Sequence, residues 1–196
     1  MDKIEKGALK IIAEQIGDNI VTLANETRPD LLSHQPIELA ESFRLWMVQP
    51  RRAIAASNSR LLIDQWLAPT SRWHHQIKFD GRAEAIAYST FDQTDPRGWR
   101  LCELFVSPLA ERIDEAINLI DERFGDRSEP VVRVVADPAH HLHALWLAFE
   151  GRGRDLMLVI DSPPDIQNLA AGKLYNARRF FHALSEEPQD NGVRFG

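Results

Sequence analysis

The seven residues Trp73 to Phe79, WHHQIKF, alternate with a period of two: Trp73, His75, Ile77 and Phe79 fall on one side, His74, Gln76 and Lys78 on the other. That alternation suits a strand, whose successive side chains point to opposite faces. Asp80-Gly81 follows at once, the dipeptide best able to take positive φ in a two-residue hairpin turn. The chain must therefore double back, with a second strand running to about Tyr88. Everything else has to pack against this antiparallel pair.

Further strands are read in WRLCELFV (99–106), in the β-branched run VVRVVA between Pro130 and Pro138, and in LMLVID (156–161). The clearest helix follows Ser107-Pro108, an N-cap and a first-turn proline. Its apolar stripe is Leu109, Ile113, Ala116, Ile117, Ile120 and Phe124, and Gly125 stands where a left-handed C′ residue belongs. An N-terminal helix carries Ile4, Ala8, Ile11, Ile12, Ile16, Ile20, Leu23 and Ala24 on one face and ends near Asn25. Residues 37–48 and 53–67 read as two shorter helices, with FRLWMV open to a strand reading, and 169–184 reads as the last helix.

Strands joined by tight turns, with helices before, between and after them, give an α+β protein. The expectation is an antiparallel or mixed sheet of about five to six strands with helices packed on it. A single domain over 1–188 is expected, with a helical N-terminal layer (1–70), the sheet with one helix (71–163), a C-terminal helix (166–186) and a flexible tail (189–196).

Composition excludes several function classes. The net charge of -6 arises from 29 acidic and 23 basic residues spread along the chain, which offers no polybasic surface for nucleic acid or anionic lipid. No stretch approaches the roughly 20 apolar residues of a membrane span, and the charged N-terminus is no signal peptide, so a cytoplasmic protein is expected. The lone Cys102 rules out an intramolecular disulfide, and its place inside a strand reads as a buried thiol. Neither GxGxxG nor GxxxxGK[ST] occurs, and no GxSxG elbow. Gly151-Arg152-Gly153 with Arg154 reads as a hairpin turn with solvated charges rather than an anion-binding loop using Arg152 and Arg154. The pairs Asp114-Glu115 and Asp121-Glu122 read as a solvated helix face, and Arg178-Arg179 as a solvated pair beside a core stripe.

The chemical question sits in DPAHHLHALWLAFEG, where His140, His141 and His143 precede an apolar run. As a helix it would begin with Asp137 at the N-cap and Pro138 at N1, but apolar side chains would then lie all round it. As a strand it forms a hairpin from about Leu142 to Ile160 with LMLVID. His141 and His143 would share a face about 7 Å apart, a spacing zinc can bridge if His75 supplies a third ligand. The expectation is hydrogen-bonded imidazoles without intrinsic metal or cofactor. The function expected is a non-catalytic interaction or accessory protein with a protein partner or a second copy as a homodimer. The alternative is a histidine-dependent, metal-assisted hydrolase on His75, His141 and His143.

Overall fold

The computed structural model describes residues 4–30, 36–49, 59–125, 130–150, 154–162, 166 and 168–185. The elements in chain order are α1 (Lys6–Thr27), β1 (Ile37–Val48), α2 (Ser59–Trp66), β2 (Leu67–Phe79), β3 (Arg82–Phe91), β4 (Trp99–Val106), α3 (Pro108–Phe124), β5 (Val131–Asp137), β6 (Leu142–Ala148), β7 (Leu156–Asp161), β8 (Leu174–Asn176) and α4 (Ala177–Ser185). The protein is α+β. Its eight strands form one mixed sheet in the order β4-β3-β2-β1-β5-β6-β7-β8. Two antiparallel meanders meet at the centre, where β1 and β5 run parallel with Leu45 opposite Val134.

Side-chain alternation distributes the core over both faces of this sheet. Ile86 and Tyr88 on β3, Val134 on β5, Leu145 and Leu147 on β6 and Leu158 on β7 pack under the α3 residues Leu109, Ile113 and Ile120. The alternate positions face the other way. Ala85 and Ala87 with Ile77 and Phe79 are covered by Ile12, Ile16 and Ile20 of α1. Ala144, Trp146, Met157 and Val159 are covered by Ile63 and Trp66 of α2 and Phe180, Phe181 and Leu184 of α4.

Local chemistry explains several elements. Asp80 and Gly81 take φ of 50° and 77°, the positive values this tight turn requires. Ser107 caps α3 by accepting from the Leu109 amide at 3.2 Å, with Pro108 in the first turn. Gly125, expected to be left-handed, instead continues in the right-handed region with φ of -52° and donates to the Asp121 carbonyl.

Other expectations fail for physical reasons. Residues 37–48, expected as a helix with FRLWMV open to a strand reading, form a strand throughout. Their first half carries helix formers such as Glu38, Ala40 and Glu41, but it pairs with β2, Leu45–Met47 pair with β5 as well, and these ladders outweigh propensity. The expected helix over 169–184 begins only at Ala177. Gly172, at φ 75°, turns the chain back so that its amide reaches the Val159 carbonyl, and Leu174–Asn176 pairs with β7 as an eighth strand. Asn176 then caps α4, its Oδ1 accepting from the Arg179 amide at 2.9 Å. The expected helix over 53–67 is described only from Ser59, and 189–196 and Gly151-Arg152-Gly153 lie outside the described residues.

Both sheet edges are blunted. β8 is three residues long. On β4, the buried Gln15 of α1 replaces a neighbouring strand: its Nε2 donates to the Trp99 carbonyl at 2.9 Å and its Oε1 accepts from the Leu101 amide at 2.7 Å. The ladder to β3 also slips here, with Leu101 opposite Ser89 and Glu103 opposite Tyr88, so Cys102 bulges without a cross-strand partner. The bulge makes Cys102 exposed, correcting the buried thiol expected from simple alternation. Among the described residues no helix is long and apolar enough to cross a membrane.

Candidate functional site

His74, His75, His140, His141 and His143 fall into four different settings. His75 is buried on β2, with Nδ1 2.8 Å from Ser42 Oγ on β1 and Nε2 2.7 Å from Ser89 Oγ on β3. A neutral ring accepts from one hydroxyl and donates to the other, so both nitrogens are satisfied. Burial lowers its pKa to about 4, which keeps the ring neutral. This arrangement is a polar cross-strand bridge enclosed by protein.

His74 projects to the opposite face, fully buried, with its ring 5.4 Å from that of Tyr88. Desolvation, then the proximity of His75 and His143, lowers its pKa to about 3. Among the described residues neither ring nitrogen has a hydrogen-bond partner. Gln76, on the same side of β2, donates its Nε2 to the Ala110 carbonyl of α3 at 3.2 Å.

His143 lies in β6 opposite Ala136 and Asp161. Its pKa is lowered chiefly by burial, with Asp161 opposing and Arg112 and His141 adding to the shift. His141, expected inside the strand, stands just before it at φ 49°, exposed, and closes the turn Pro138–His140 by donating its amide to the Pro138 carbonyl. The structure does not bring His75, His141 and His143 together. His75 is enclosed by serines on the face of Ile77 and Phe79, His143 faces the α3 side with Leu145, and His141 is in a turn. Among the described residues no three His, Cys, Asp or Glu side chains are placed to hold a metal ion.

The fourth setting opens onto a cavity. β5 ends at Asp137, and Pro138–His140 forms one turn of 3₁₀ helix. Asp137, 5% exposed, accepts from the Ala139 amide through Oδ1 at 3.2 Å, while its Oδ2 is 2.6 Å from His140 Nδ1. A carboxylate can only accept, so His140 carries its proton on Nδ1 and keeps Nε2 for another partner. Both residues border a slot of about 410 Å³ whose other walls are Val48 at the end of β1, Gln49 just beyond it, Trp66 at the end of α2, Pro138 and Ala139, and Leu184 of α4. The Gln49 amide donates to the Trp66 carbonyl at 2.7 Å, fixing α2 to the end of β1, and Trp66 stacks on Phe181 at 5.4 Å. The slot therefore lies at the carboxyl ends of the parallel pair β1 and β5, where open sheets commonly place ligands.

Asp137-Pro138 carried a visible capping signal in the sequence, but the candidate site read there was His75, His141 and His143, not this slot. Val48, Trp66 and Leu184 come from three other elements, and no local pattern connects them. The pair Arg178-Arg179 is solvent-exposed on α4, with the Arg179 guanidinium 5.4 Å from the Tyr175 ring. Asp114, read as solvated, pairs with Lys78 at 2.6 Å. No known protein family, curated protein or solved structure matches the chain.

Proposed function

We propose that this chain is a non-catalytic accessory protein that holds a small amphipathic molecule in the slot beside Asp137 and His140. The observation that carries this reading is a cavity of about 410 Å³, apolar on most sides, with one oriented polar pair at its edge. Small-ligand sites have this character, roughly 300–1,000 Å³ of mostly apolar wall with a few fixed polar groups. The hydrolase alternative on His75, His141 and His143 draws no support from the placement of those residues. The lone cysteine, which leaves no intramolecular disulfide, supports a cytoplasmic setting. The partner in this reading is a second copy of the chain, as a homodimer.

The test is saturable binding of heptan-1-ol, followed by tryptophan fluorescence. The native chain binds at one site per monomer, and Ala139→Trp, which fills the slot, abolishes binding while circular dichroism stays native. Absence of saturable binding, or binding indifferent to Ala139→Trp, overturns the reading.

A further inference from the structure

We infer that the slot selects a ligand whose apolar body ends in a cationic hydrogen-bond donor, an amphipathic amine, an inference that rests on the slot being a ligand site. Three features of the walls favour that head group. Asp137 holds the Nδ1 proton of His140, so in the neutral ring Nε2 presents a lone pair and takes a donor. The Asp137 carboxylate is nearly enclosed, accepting from the Ala139 amide and facing His140 Nδ1 at 2.6 Å, so a cationic head group in the slot meets a carboxylate that water screens little. Among the described lining residues there is no Lys or Arg to receive a carboxylate or phosphate.

Trp66 borders the slot, but it is only 2% exposed and its ring stacks on Phe181, so the head group is set by Asp137 and His140. The apolar walls Val48, Pro138, Ala139 and Leu184 receive the body of the ligand. An acid of the same length would bring a second negative charge beside Asp137 and would present no donor to Nε2. An alcohol satisfies the hydrogen bond and forgoes the charge.

The probes are n-heptylamine, heptan-1-ol and heptanoate, titrated into the full chain at pH 8, where an ordinary imidazole is neutral. The amine is expected to bind most tightly, the alcohol next, and heptanoate at least tenfold more weakly than the amine. Asp137→Asn should bring the amine down to the affinity of the alcohol and change the alcohol less than threefold. Should that variant fail to fold by circular dichroism, His140→Asn serves instead, removing the ring acceptor and weakening the alcohol and the amine at least tenfold each.

Heptanoate binding as tightly as the amine overturns the inference, as does an amine affinity unchanged in a folded Asp137→Asn. If all three probes bind equally and Ala139→Trp blocks them all, the slot stands and the head-group selection falls. If none binds, the slot itself is refuted.

Discussion

Lowering the pH from 7.5 to 5.0 should destabilise this protein well before its carboxylates titrate, and His74 should account for about half of the loss. In the unfolded chain a histidine protonates near pH 6.5, whereas burial holds folded His74 to about 3 and His75 to about 4. Between those values the unfolded state binds a proton that the folded state refuses. Stability is therefore intact above pH 6.5 and falls as the pH drops toward the folded pKa. Each group contributes about 1.4 kcal/mol per pH unit, so at pH 5.0 each costs about 2 kcal/mol and the two together about 4. His143, also lowered by burial, adds in the same direction. Against a typical total of roughly 5–15 kcal/mol, that is a large share. Urea unfolding at the two pH values, followed by tryptophan fluorescence, measures it. The native chain should lose about 4 kcal/mol, and His74→Gln, which cannot titrate, should lose about 2. A native loss under about 1 kcal/mol, or a His74→Gln loss equal to the native one, would refute the assignment of a buried neutral imidazole.

Core packing under α3 predicts that Ile113→Ala, at a fully buried position, costs about 2–5 kcal/mol in a denaturant titration. The partly buried Ile117 should cost less than half as much on truncation, and the reverse order would show the helix to be rotated from the face given above. Gln15→Ala removes both bonds to the edge of β4 and should cost about 1–3 kcal/mol while accelerating hydrogen exchange at the Leu101 amide. Protection at Leu101 that survives the substitution would mean that something else seals the edge. Light scattering should give twice 22.3 kDa for the homodimer, and a mass of 22.3 kDa at micromolar concentration would exclude it.

The parts of the fold legible in the sequence are those fixed by local chemistry. Ser107-Pro108 with the Leu109 to Phe124 stripe gave α3, and WHHQIKF with Asp80-Gly81 gave the β2–β3 turn, because capping and positive φ are satisfied within a few residues. β1 was obscured because its strand character comes from partners lying on either side of it in the sheet. β8 was obscured because Leu174 fits the helical spacing of Ala177, Phe181 and Leu184, although Gly172 and Asn176 are ordinary signals for a break and a cap. The bulge at Cys102 depends on how two strands align, which neither strand encodes alone. DPAHH combined both readings offered for it, a capped turn over 138–140 and a strand from Leu142. The slot was hidden for a simpler reason: Val48, Trp66, His140 and Leu184 meet only when α2 and α4 settle on the same face of the sheet.

The most direct test of the slot as a ligand site is the set of indole N–H resonances as n-heptylamine is added at pH 8. Trp66 lines the slot, whereas Trp73 and Trp99 pack against each other on the other half of the sheet, with rings 6.3 Å apart. The Trp66 resonance, assigned by its loss in Trp66→Phe, should shift to saturation while those of Trp73 and Trp99 stay in place. A stationary Trp66, or shifts of similar size at all three, would contradict ligand binding in the slot.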